Sequence, residues 1–259
     1  MNPLLVASLV CGGLFAGMLL LIEVGRRIGV ARLARDPDDP AKGVAAAEGA
    51  VFALLGLIIA FTFSGAASRF EDRRHLVTQE ANAIGTAYLR LDLLPADAQP
   101  ELRELFRRYT ELRSVTFTAS ADLAAAQVKY AQAATLQGEI WSKALAASRR
   151  PDAVLSAPML LATALNDMID ITTTMTMATQ NHPPLAVYLL LIGLSLVGSL
   201  LVGYDMSGSR TRTRLHTVAF AAIMSLALYV ILDLEFPRLG LIRVDAADQV
   251  LVDLRKSMQ

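Results

Sequence analysis

Residues 60–90 read AFTFSGAASRFEDRRHLVTQEANAIGTAYLR. The first part closes an apolar run, and the second is charged and amphipathic. No proline separates them, and the central glycine, Gly65, lies inside the apolar part. Nothing here breaks a helix, so the stretch predicts one helix that leaves a bilayer and runs on into water. That reading sets the fold.

The rest of the composition agrees. The 259 residues are 54% hydrophobic and 19% charged, below the roughly 25% charged of soluble domains, and mean hydropathy is +0.45. Four apolar segments have the length of spans, given about 17–25 residues for a crossing: 3–24, 49–67, 185–203 and, shortest, 218–232. The first is too long for a signal-peptide core of about 7–15 residues and is read as retained. A formal net charge of zero gives no support for nucleic-acid binding, where a basic patch or stripe is expected. The single cysteine, Cys11, excludes an intrachain disulfide and a thiolate metal cluster.

These spans define the expected architecture: an all-α, four-span integral membrane protein. Residues 1–68 form the first transmembrane hairpin, 69–184 an extramembrane helical domain, 185–234 the second hairpin, and 235–259 an amphipathic tail. Within the domain, the second span continues to Pro95, a helix starts at Pro100, an alanine-rich one at Asp122, and a last one opens at Pro151-Asp152. Leu102, Leu105, Phe106, Tyr109 and Leu112 recur at helical spacing, as in a bundle. Arginine and lysine are nearly balanced between the two sides of the spans, so orientation is left open.

No catalytic constellation is found. His75, His182 and His216 match no metal-ligand spacing, and the Asp36-Pro-Asp-Asp39 cluster lacks the spacing of a calcium loop. No cofactor or metal is expected. Two polar features remain. Asn166, Asp170, Thr173, Thr174 and Asn181 share a helix face, as do Gln79, Asn82 and Thr86, with Glu80 adjacent. Such faces make an interhelical network or a solvated surface, or else a polar vestibule for ions built on Asn82, Asn166, Asp170 and Thr173. In the second span, Val51, Leu55, Ile58, Thr62, Gly65 and Arg69 follow one another at spacings of three or four. A pore helix would read this way: Leu55 and Ile58 as an apolar constriction, Thr62 as a hydroxyl, Arg69 as a cation at the mouth. Small residues for helix packing and a snorkelling arginine give the same pattern.

At these residues a family resemblance enters. FALLGLIIAFTFSGAASRFEDRR, residues 52–74, resembles the second-span signature of bestrophins, where an apolar L-L-G run leads to R-W-W-E-A-R. Arg69, Phe70, Asp72 and Arg74 stand where that ending has Arg, Trp, Glu and Arg. EANAIGTAYLR, LNDMID and FPRLGL resemble the bestrophin-like domain family of bacterial membrane proteins. The resemblance implies a homopentameric anion channel in a bacterial inner membrane, its second span lining the pore and running into the helical domain. The sequence departs from bestrophins in three ways. Leu55 and Ile58 stand where the neck has aromatics or isoleucine, the tryptophan pair is replaced by Phe70-Glu71, and Asp233, Glu235, Asp245 and Asp248 are too dispersed for a calcium clasp. The rival expectation is a non-conducting scaffold or sensor whose helical domain binds a partner.

Overall fold

The computed structural model describes residues 3–35, 44–118, 123–208, 214–236, 241–242 and 245–258. Asp36 to Asp39, Lys42, Arg210, Arg212, Arg238 and Arg243 lie outside the described residues. Among those described, every element is helical: α1 (Pro3–Arg35), α2 (Val44–Leu89), α3 (Gln99–Thr118), α4 (Leu123–Ser148), α5 (Ala157–Gln180), α6 (Leu185–Asp205), α7 (Arg214–Glu235) and α8 (Asp245–Ser257). Four helices, in α1, α2, α6 and α7, are long and apolar enough to cross a membrane. The fourth expected span, short in the sequence, belongs to a 22-residue helix.

The chain forms two compact units, Met1–Ser68 with His182–Phe236 and Arg69–Asn181 with Pro237–Gln259. In the first unit, α1 and α6 approach backbone to backbone. A Cβ on Gly25 would lie 2.0 Å from the Leu200 carbonyl oxygen, and one on Gly203 would lie 2.0 Å from the Ile22 carbonyl oxygen. No side chain fits at either position, so glycine is required there to bring the helices together. Leu14, Met18, Leu55, Leu191, Ala221 and Leu228 form the buried centre, and Phe52 meets Phe220 edge to face at 5.7 Å. Leu9, Leu20, Leu189, Ile223 and Leu226 face outward, the sign of a surface solvated by lipid. At the end of α7, His182 Nδ1 lies 3.1 Å from Glu235 Oε2, and its ring stacks on Phe236.

The second unit is a helical bundle with a water-soluble pattern of burial. Val77, Ile84, Leu91, Phe106, Ile140, Leu161, Leu165 and Met168 fill its centre. The C-terminal segment belongs to this unit: Leu251 is fully buried, and Arg107 Nε donates to the Met258 carbonyl at 3.2 Å. The start of α5 differs from expectation, and α2 ends at Leu89 rather than running on to Pro95. Pro151-Asp152 does not open α5; it lies in a turn where the Ala153 amide reaches Arg150 and the Val154 amide reaches Leu93. The helix starts at Ala157 with Pro158 in its first turn, where a missing amide hydrogen costs nothing.

Candidate functional site

The 46 residues of α2 extend about 69 Å at 1.5 Å per residue, more than twice the roughly 30 Å hydrocarbon core. With no proline inside it, the helix keeps one register from end to end, and each face can be followed at 100° per residue. One face is buried throughout: Leu55, Thr62 and Ala66 in the first unit, then Arg73, Val77, Glu80, Ala81 and Ile84 in the second. The opposite face is exposed throughout: Leu57, Ala60, Phe61, Ser64 and Ser68, then Glu71, His75, Thr78, Asn82 and Thr86.

This places the sequence-derived pore residues. Leu55 is 1% exposed and packs into the centre of the first unit. Thr62 is buried as well, and its hydroxyl donates to the Ile58 carbonyl at 2.7 Å, a bond back to the preceding turn. Ile58 is half-buried against the same core, and Arg69 is half-buried with contacts of its own. The face chosen from spacing is therefore turned towards the chain's own helices. Leu57 and Phe61, on the other side, are 51% and 69% exposed.

The vestibule residues are all on the surface. Asn82 lies on the exposed face of α2, and Asn166, Asp170 and Thr173 lie on the exposed face of α5. The polar network that the structure does bury starts at Glu80, adjacent to the face marked in the sequence, and its partner lies on another helix. Glu80 pairs with Arg113 of α3. Arg113 also approaches the Met175 sulfur at 3.5 Å and the Tyr130 ring at 5.4 Å. The Tyr109 hydroxyl accepts from Gln137 Nε2 at 2.9 Å, and burial holds its phenol well above the ordinary value. A signal for Arg113 existed, since it continues the stripe Leu102, Phe106, Tyr109 at helical spacing.

Arg73 ties α2 to α5 within the second unit. Its guanidinium donates to the carbonyl oxygens of Ala178 and Asn181, each at 3.1 Å, where the last turn of α5 leaves acceptors without intrahelical donors. This fixes the rotation of α2 there, with Arg73 inward and Glu71 and His75 outward.

An open groove of about 590 Å³ between α3 and α4 is lined by Arg108, Glu111, Lys129, Gln132, Thr135 and Glu139 among others. Its lining carries charges of both signs.

The family model of the bestrophin-like domain matches residues 12–248, so the chain belongs to the bestrophin-like family. None of the curated proteins matches the sequence. Among solved structures, a tyrosine-to-alanine variant of a bacterial bestrophin homologue from Klebsiella pneumoniae is similar over 93% of this chain and 98% of that one. Its TM-score is 0.65 at 15% identity. A tryptophan-to-alanine variant of a bestrophin homologue from the same organism gives a TM-score of 0.64 at 14% identity, over 94% of this chain and 97% of that one. At such identity the likeness is one of fold.

Proposed function

We propose that this bestrophin-like membrane protein assembles as a homo-oligomer in a bacterial inner membrane and conducts small anions passively along α2. A pentamer is the assembly that the resemblance to bestrophins favours. The observation that carries the reading is the exposed stripe of α2, apolar at Leu57 and Phe61 and hydroxylated at Ser64 and Ser68, on a helix that does not end where the apolar segment ends.

A side chain covered by its own chain cannot face a conduit formed between copies. The constriction is accordingly assigned to Leu57 and Phe61 rather than to Leu55 and Ile58, and the hydroxyls to Ser64 and Ser68 rather than to Thr62. An apolar ring of this kind gates by dewetting, and hydroxyl protons beyond it replace part of an anion's water. Arg69 would act from the flank, through its field rather than by contact. Asn82, 18 residues after Ser64, returns to the same face after five turns and would line a polar vestibule, with Asn166, Asp170 and Thr173 on its surroundings.

Halide flux into proteoliposomes tests the reading. Purified oligomer should give flux above empty vesicles, Phe61→Ala should raise it, and Phe61→Trp should reduce it. A folded, oligomeric preparation without flux would favour the scaffold instead.

A further inference from the structure

On the exposed face of α2, one turn past Ser68, a single carboxylate lies beside an arginine and a histidine. Glu71 Oε2 accepts from Arg74 Nη1 at 2.9 Å, and Glu71 Oε1 lies 3.5 Å from His75 Nε2. All three side chains are well exposed, and Arg74 also lies over the Phe70 ring, 6.0 Å from its centroid. Pairs of this sort usually stabilise little, so their value has to be sought elsewhere. Here they lie on the face assigned above to the conduit.

We infer that Glu71, Arg74 and His75 form the charge selector of the conduit, set by the protonation of His75. This rests on the channel reading of α2. With His75 neutral, Glu71 and Arg74 cancel, and each copy contributes no net charge from the trio. With His75 protonated, each copy contributes one positive charge, and an oligomer presents a ring of them to passing ions. Neighbouring charges on α2 do not offset this change. Asp72, exposed and about 60° round the helix from His75, keeps one negative charge at either pH, so protonation still raises the charge of the face by one; Arg69 is half-buried, and Arg73 is buried and committed to the end of α5. From α5, the described element that Arg73 grips, residues 171–181 bring no ionisable group. Anion preference therefore rises as pH falls through the imidazole range.

The test is the anion-to-cation permeability ratio of reconstituted protein at about pH 5.5 and about pH 7.5, on either side of that range. The wild type should favour anions more at the lower pH, by at least about twofold. His75→Gln should remove the dependence, and His75→Arg should hold the low-pH ratio at both values. Glu71→Gln should raise anion preference at both. Conduction with a pH-independent ratio, unchanged by these variants, overturns the selector and leaves the channel standing. No conduction from folded oligomer overturns both.

Discussion

Glu80 of α2 and Arg113 of α3 form an ion pair inside the second unit, with 0% and 2% of their side chains exposed. Neither group has water to fall back on. The Glu80 carboxylate offsets the burial of Arg113 and keeps its pKa above the ordinary arginine value, although burial itself acts to lower it. The second Glu80 oxygen, Oε2, is buried without a hydrogen-bond partner among the described residues. The pair is thus costly to break and specific in where it holds α2 against α3.

Arg113→Ala is expected to destabilise the protein by about 3–5 kcal/mol, because it leaves a buried carboxylate unpaired. Replacing both residues with leucine should recover much of that loss. Thermal unfolding of the detergent-solubilised variants measures the two effects. A single variant that melts with the wild type would show that the pair is not buried.

Gly203→Leu should prevent α1 and α6 from closing, since the added carbon would meet the Ile22 carbonyl oxygen at 2.0 Å. The cost should exceed the roughly 1–3 kcal/mol typical of overpacking, because backbone has to move. Gly12→Ala is the matched control: nothing lies within 4 Å of its Cβ, and alanine should help the helix slightly. Size-exclusion profiles should show Gly203→Leu aggregated or lost and Gly12→Ala unchanged.

The orientation of α2 can be read by thiol chemistry in a Cys11→Ala background. Ser64→Cys, on the exposed face, should react with a small water-soluble thiol reagent in the assembled protein. Thr62→Cys, on the buried face, should stay unlabelled. The reverse pattern would return the pore to the Leu55 and Thr62 side.

Asp97 accepts from Arg150 Nη1 at 2.7 Å, and that hydrogen bond is the main reason its carboxyl titrates below the ordinary value, against a small opposing effect of desolvation. A carboxylate held low when folded adds stability above its unfolded pKa, about 3.9 for aspartate, and loses it as pH falls through the folded value. Arg150→Gln should therefore lower the melting temperature near neutral pH, and the gap should close in strong acid. An equal gap at every pH would count against this pairing.

The legibility of the fold followed from how local each signal is. A run such as 185–203 is apolar enough to span whatever surrounds it, and residues 60–90 contain no proline, so the continuation of α2 out of the apolar segment could be read directly. The stripe from Leu102 to Tyr109 likewise announced a packed α3. Pro151 misled because a proline opens a helix or sits in a turn equally well, and a backbone hydrogen bond to Leu93, far away in sequence, decided for the turn.

Local signals in the chain were therefore enough for the set of helices and for a four-span membrane fold, but not for every helix end. Rotation and partnership came from packing in three dimensions. The span within α2 is apolar all round, so its periodicity carries no phase, and Leu55 and Leu57 are equivalent until packing against α6 and α7 buries one of them. Glu80 and Arg113 stand 33 residues apart on different helices, and no spacing rule joins them. Burial couples residues through space, and a one-dimensional pattern records only the neighbours that a single helix provides.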